Sequence, residues 1–371
     1  AFCERQGTLL VHYRKHSTRE FHLIGLRCLD AEDYRTYATE LLASEVGDIS
    51  ALKFLNADPA YYYYPQYHNN TDWKRQVYQN ALTQSYGINV QGGDDVADYN
   101  LSVGYSKADN TLKNNDYSRF DMRLNTDIDV VRSLNVRFDA AFSDVKRDLR
   151  DIGLPEDVES TTIFAPNVLA LIKAPFLSPY ATDVYGRESS YLAEADDYLQ
   201  NAVETNDCSL ANPLSIQKNG EGDNRNTFGN RLVTISVTPK YRFNSHLTLY
   251  SAFNFTLVNT NEEYYTPVFG VPAFYIPEAE NRDNSCLVHN IKSSLASRHT
   301  TVQDDTRLTW NNSFDAHNVS VSGGFRYLTS SYKLNSRKGY DTGNDKTPDL
   351  SSSLKFKSTD GAEDNYTDVT M

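Results

Sequence analysis

From about residue 83 onward the chain alternates apolar and polar positions with a period of two, the spacing of a strand with one apolar face. In the first such segment Tyr86, Ile88 and Val90 share a face, opposite Ser85, Gly87 and Asn89. After the turn Gly92–Asp95, the residues Tyr99, Leu101, Val103 and Tyr105 alternate with Asn100, Ser102, Gly104 and Ser106. Phe120, Met122, Leu124, Thr126, Ile128 and Val130 then alternate with Asp121, Arg123, Asn125, Asp127 and Asp129. Past Arg132-Ser133, the residues Leu134, Val136, Phe138, Ala140 and Phe142 alternate with Asn135, Arg137, Asp139 and Ser143. A soluble sandwich produces the same alternation, so pattern alone does not decide between folds. Length does favour one: the pattern persists for about ten residues, the 9–11 of a tilted transmembrane strand, where ordinary strands have a mode of roughly five or six.

The connections carry a second signal. A loop follows at Asp109–Asp116, and a very long one runs over about 148–226. Strand patterning returns at Val233, Ile235, Val237, Tyr241 and Phe243, where Pro239 implies a broken ladder or a bulge. The tight turn Asn244–His246 leads to Leu247, Leu249, Phe253, Phe255 and Leu257. A loop over about 262–296, a strand near Thr300–Phe314, a tight turn at Asp315–His317, a further strand, a loop over 334–349 and a strand starting near Leu350 complete the pattern. Tight and long connections alternate, the asymmetry of outer-membrane barrels. Greek-key sandwiches give no reason for it. The expected fold is all-β, a partial antiparallel transmembrane barrel of about nine strands.

Residues 1–25 show no period, with Arg, Lys and His crowded into Arg14–Arg19, and no element is assigned there. Asp30–Leu42 predicts a short helix, with Asp30 as N-cap and acidic residues in the first turn.

Composition narrows the function classes. The 371 residues carry a net charge of −13, which disfavours a nucleic-acid partner because phosphate binding needs a basic face. The 26 Tyr and 17 Phe suit strands, membrane girdles and sugar-stacking surfaces alike. No apolar run is long enough for a transmembrane helix; a barrel leaves none either, so a mean hydropathy of −0.58 does not exclude a membrane. The chain opens on Ala1 without a secretion signal, and the expectation is that it begins mid-protein. Cys3, Cys28, Cys208 and Cys286 are too scattered for a zinc site. Cys208 and Cys286 fall in long loops where a bridge can form in an oxidising compartment, unpaired thiols being the simpler expectation.

Particular segments resemble a known family. Leu29–Tyr34 is similar to the "L-N-A-x-E-Y" that follows the first barrel strand of SusC/RagA-type TonB-dependent transporters, and Asn70–Trp73 to their "T-D-W". Tyr86, Gly92, Gly93, Tyr99, Ser102, Gly104 and Tyr105 match a hairpin of the family. Tyr117–Phe120 and Arg123–Asn125 resemble its "F-x-R-Y" and "R-x-N". The match covers roughly residues 26–150 and is pattern-level beyond. It implies a section of a plugged 22-stranded barrel in a Gram-negative, Bacteroidetes-like outer membrane with its loops extracellular. It further implies energy from the TonB complex, a SusD-like surface lipoprotein as lid, and import of oligosaccharides or peptides. On that reading 1–82 holds the end of the plug and first-strand region, and 83–371 is partial barrel. A passive porin and a secreted β-rich adhesin or carbohydrate-binding protein are the alternatives.

Enzyme chemistry finds no support: the eight His show no metal-ligand spacing and there is no nucleophile elbow or phosphate loop. No cofactor or metal is expected. Asp121, Arg123, Asp127, Arg137 and Asp139 are candidates to line a lumen or touch a plug, against simple hydration of a water-filled interior. Tyr61, Tyr62, Tyr63 and Tyr64 offer ring faces for sugar, or serve as loop packing. Phe176 and Tyr180 are candidate lid contacts, or a small core for their own loop. Asp196-Asp197 and Asp304-Asp305, placed in outer loops, would suit calcium only weakly, lacking a twelve-residue loop.

Overall fold

The computed structural model describes residues 8–20, 28–45, 49, 52–149, 163–183, 185–195, 209–220, 222, 226–277, 285–315, 317–350 and 358–371. In chain order the first elements are strand β1 (Thr8–Glu20), helices α1 (Ala31–Glu45), α2 (Tyr64–Tyr67) and α3 (Trp73–Val77), and strands β2 (Ala81–Gly93), β3 (Ala97–Ala108), β4 (Tyr117–Val131) and β5 (Leu134–Asp148). The long connection holds α4 (Pro166–Ile172), the short pair β6 (Tyr180–Thr182) and β7 (Glu188–Leu192), and α5 (Pro213–Lys218). Strands β8 (Thr227–Arg242) and β9 (Leu247–Thr266) follow, then a loop hairpin of β10 (Phe274–Pro277) and β11 (Ser285–Val288). The long strands β12 (Ile291–Phe314), β13 (His317–Tyr340) and β14 (Ser358–Thr370) end the chain.

Ten strands form one antiparallel sheet in strict sequence order, β1-β2-β3-β4-β5-β8-β9-β12-β13-β14. This meander puts every tight turn at one end and every long connection at the other. The tight turns are built locally. The Asp94 and Asn244 carboxyl and amide oxygens each accept two backbone N–H bonds, from Val96 and Ala97 and from His246 and Leu247. Asp315 takes φ +48°, a conformation that Asp tolerates better than most residues.

Register keeps the two faces distinct across the sheet. Val90, Leu101, Leu124, Ala140, Ile235, Phe255 and Val302 stand opposite one another in one row of seven strands. The next row, on the other face, reads Gln91, Asn100, Asn125, Asp139, Ser236, Asn254 and Gln303. A one-residue slip anywhere would exchange the faces. The ladder shifts at the bulge between Asp129 and Val131, in the turn-end of β4. Pro239 interrupts pairing with β9 and leaves its register unchanged.

Several expectations need correction. Thr8–Glu20, unassigned from sequence, is a strand paired along its whole length with β2; its alternation is obscured by charge. The helix starts where expected, with Asp30 Oδ1 accepting from Glu32 and Asp33, but runs on to Glu45. The wall has ten strands, one more than expected. Those at its far side are longer too: β9, β12 and β13 extend into the segments read as loops, so the first of these connections shrinks to 267–290 and the second is displaced to 341–357. The last strand begins at Ser358, later than the expected Leu350. Asp304 and Asp305 sit inside β12, on opposite faces, which removes the loop-calcium reading for them; Asp196 and Asp197 lie outside the described residues, as do Cys208 and the side chain of Cys286.

Apart from the loop-end residues of β9, β12 and β13, the buried core lies outside the sheet. One cluster joins α1, α3 and the α4 region through Phe54, Tyr67, Trp73, Val77, Leu112, Ala174, Phe176 and Leu177. The second joins the long connections through Phe164, Leu169, Ile216, Val271, Phe274, Val288, Ile291 and Tyr340. Both lie at the loop end, as a cap. Midway along the strands no described residue covers the apolar face: Phe253 is 42 % exposed, and Leu124 and Phe138 are only half-buried.

Candidate functional surfaces of the sheet and its cap

Three surfaces result: a polar sheet face, an apolar sheet face and the loop cap. The five charged residues picked from sequence all lie on the polar face of β4 and β5, brought together by register. Arg119 Nε stands 2.7 Å from Asp121, and Arg137 Nε donates to Asp139 at 3.0 Å. The Asn125 amide donates to Asp139, and the Asn135 amide bridges Asp127 and Asp129. Arg123 projects from the same face in the row between Ser102 and Ala141. A groove of ≈ 470 Å³ crosses this face, lined by Asp98, Asn100, Asn125, Asp127 and Arg137 among others. A second charged group, Asp305 between Arg307 (3.7 Å) and Arg326 (3.3 Å), occupies the polar face of β12 and β13. Sequence reading missed it because it grouped Asp304-Asp305 with the loop acids, although the strand read near Thr300–Phe314 contains them. These pairs are exposed and contribute little to stability, about 0–1 kcal/mol each; their meaning is a hydrated, charge-balanced surface.

On the apolar face the side chains turn outward. Measured from the tight turns, the face remains largely apolar for about ten residues and then meets charge: Lys107 in β3, Asp144 in β5 and Arg231 in β8; in β12 a charge lies within the band, Asp304 standing opposite Phe253. Asp304 is satisfied locally, accepting from Ser251 (3.0 Å) and Thr306 (3.2 Å). Ten residues at a rise of ~3.4 Å, tilted ~40°, give a band of ~26 Å.

The cap is bound together by buried polar contacts. Asp345 accepts from the Tyr265 hydroxyl (2.7 Å) and from the backbone N–H groups of Val268 (2.8 Å) and Phe269 (3.0 Å). Asn290 donates to the Tyr265 hydroxyl and to Gly343 O, and accepts from Thr342. Asn219 donates to Tyr265 O. Three separate connections are thereby clasped at one point. Around the clasp is a cleft of ≈ 1140 Å³ lined by Val268–Pro272, Gly343–Thr347, Glu194 and Ala195. A neighbouring cleft of ≈ 370 Å³ shares Glu194 and Ala195 and includes Tyr180.

The cap also resolves the aromatic candidates. Phe176 is fully buried, stacked on Phe54 at 4.8 Å with Tyr34 and Tyr67 edge-on, so it forms the loop's own core and offers no surface to a lid. Tyr180 is half-buried at a cleft wall. Tyr62 is 74 % exposed and packs edge-on against Tyr63, which carries Lys53 over its ring at 4.7 Å. Tyr61 meets Tyr63 edge-on, and Tyr64 stacks on His68 at 3.7 Å. Burial holds the His68 imidazole below its ordinary range, with Arg35 adding to the effect and the bond to Tyr64 O opposing it. Among the described residues no group of three or more His, Cys, Asp and Glu is placed to hold a metal, and no helix is long and apolar enough to cross a membrane.

Comparison with known proteins fits this arrangement. No family model matches the chain. A TonB-dependent receptor, P3, from Formosa agariphila is 22% identical over 266 residues, 70% of this chain and 22% of the relative. The solved RagAB peptide transporter superposes with a TM-score of 0.59 at 15% identity, over 97% of this chain and 39% of that one. The RagAB peptide importer in its open-open state gives 0.60 over 98% and 39%. In fold, the chain is a section of a SusC/RagA-like TonB-dependent barrel. It spans about a fifth of the curated relative (22%) and two fifths of the solved chains (39%). Among the described residues the sheet is not closed, β1 and β14 each pairing on one side, and the TonB-dependent receptors it resembles are outer-membrane proteins.

Proposed function

We propose that this segment is part of an importer in which the apolar face meets lipid, the polar face lines the interior against a plug, and the cap stands outside the cell. The whole protein takes up oligosaccharides or peptides without changing them chemically, driven by the TonB complex, with a surface lipoprotein closing over the loops. The observation that carries this reading is the placement of the buried apolar residues. They lie in the cap, while the strands leave Phe120, Phe253 and Phe325 open on one face. Water would not tolerate so extended an apolar surface on a soluble protein, and a band of ~26 Å fits the ≈ 25 Å apolar belt of an outer-membrane barrel.

The test is uptake. Cells carrying the whole gene are compared with a deletion strain for growth on, and accumulation of, labelled peptides and oligosaccharides, with and without a working TonB complex. Loss of uptake in both the gene deletion and the TonB-deficient strain supports the reading. Uptake that survives loss of TonB identifies a passive porin. Recovery of the parent protein in the soluble fraction abandons the membrane altogether.

A further inference from the structure

Beyond the apolar band the same sheet face carries a row of charge that hydration alone explains poorly. Reading across the strands, Asp144, Arg231, Asn259, Arg298, Lys333 and Glu363 are direct cross-strand partners in one register row. The acids at the two ends are used: Arg231 Nε lies 3.4 Å from Asp144, and Lys333 Nζ lies 3.0 Å from Glu363. Arg298, between them, is exposed and has no ion-pair or hydrogen-bond partner among the described residues. It stands directly opposite Lys333 on β13. Like charges in opposed positions on one face repel and destabilise the pair. An anion between them reverses the sign of that interaction.

The surroundings say where such an anion would sit. Arg231 follows Val233 and Asn259 follows Leu257, so the row begins where the apolar band ends on the loop side. Arg231, Asn259 and Arg298 lie two or four residues along their strands from Val233, Leu257 and Val302, on the same face, so the cations project from the outer, apolar side of the sheet. With strands ~4.8 Å apart, the four positions from Arg231 to Lys333 cover ~14 Å, the scale of a headgroup.

We propose that Arg231, Asn259, Arg298 and Lys333 form a site for the phosphate of a membrane lipid headgroup, held at the outer edge of the barrel wall. Arg298, unpaired among the described residues, receives it, Asn259 adds an amide donor, and the two flanking cations share their charge with their own acids. The proposal rests on the membrane placement argued above.

The experiment uses the whole transporter in detergent, titrated with dioleoyl phosphatidic acid and read by native mass spectrometry, with phosphatidylcholine as the comparison lipid. Arg298→Gln should weaken phosphatidic acid binding by about fivefold or more, Arg298→Lys should retain it, and Arg307→Gln on the opposite face should leave it unchanged. Equal binding by R298Q and the unaltered protein overturns the site, as does equal binding of the two lipids. Heat-modifiable migration verifies that R298Q has folded. A Phe253→Cys variant carrying a fluorophore separates the two failures. Quenching by lipids brominated in their acyl chains, together with an unaffected R298Q, sinks the headgroup site alone. Absence of quenching sinks the membrane placement and the site with it.

Discussion

Arginine scanned along the apolar face of β9 reports directly on the solvent outside the wall. Leu249, Phe253 and Leu257 share that face, paired to Leu308, Asp304 and Thr300. Counted from the tight turn before Leu247, they stand ~5, ~15 and ~26 Å up a strand tilted ~40°. In a belt of ~25 Å, Phe253 is then about 10 Å from the nearer edge, Leu249 about 5 Å, and Leu257 at the rim. Arginine at mid-belt costs ~2–4 kcal/mol and falls to ~0–1 at the edges. Phe253→Arg should therefore destabilise most, Leu249→Arg by an intermediate amount and Leu257→Arg least. Thr248→Arg and Asn254→Arg, on the polar face, should stay within about 0.5 kcal/mol. The assay is denaturant unfolding of the whole protein in liposomes, with the midpoint shift converted at fixed slope. A flat profile along the apolar face, or an equally steep one on the polar face, refutes the lipid-facing assignment.

The cap yields three further expectations. Phe176→Ala removes a ring stacked on Phe54 inside a closed cluster and should cost ~3–5 kcal/mol of cap stability, seen as faster protease nicking of the connections with the wall intact. Gly220→Ala forces a side chain onto a residue at φ +68°, with the new Cβ driven into the Asp345 carboxylate. It should loosen the clasp more than Asp345→Asn, which retains the side chain's shape, and hydrogen exchange at Val268 and Phe269 reads both. His68 has its imidazole held below the ordinary range by burial. The stability it contributes is therefore present above the unfolded-state value and is lost as pH falls through the lower folded one. Acidification should loosen the α2 region, and His68→Gln should flatten that response in a pH series of proteolysis rates.

Sequence patterning made the middle of the wall legible because period-two alternation there is clean: in β2 to β5 each core-length run has one apolar and one polar side. It failed at Thr8–Glu20, where Arg14, Lys15, His16 and Arg19 hide the alternation and only pairing with β2 defines the strand. It also cut β9, β12 and β13 short. Their outer halves leave the apolar band, so Glu262, Glu263 and Lys292 read as loop although the ladder continues through them. The tyrosine run and Phe176 were conspicuous as residue types, yet burial separates them: Tyr62 is outside and Phe176 inside. The Asp345 clasp gave no signal, because its partners come from connections up to 80 residues apart.

Two kinds of surroundings account for the division between wall and cap. The wall's backbone is satisfied by its ladder, and among the described residues its apolar side has no protein layer to pack against, so hydrophobic burial in water contributes little to holding it. Its stability must come from the pairing itself and from whatever covers that face. The cap is the reverse: short helices and irregular connections, weak in local hydrogen bonding, hold together because Phe54, Phe176, Phe274 and Ile291 leave water entirely. The two clusters reach from α1 at one side of the sheet to Tyr340 at the other, so they tie the outer ends of neighbouring strands at the place where the ladder runs beyond the apolar band. There strand pairs such as β12 and β13 would otherwise splay into solvent. A cap built this way holds the connections as one body with the wall; on the importer reading proposed above, any opening for solute is made by something moving over the cap or within the interior and not by the connections parting from one another.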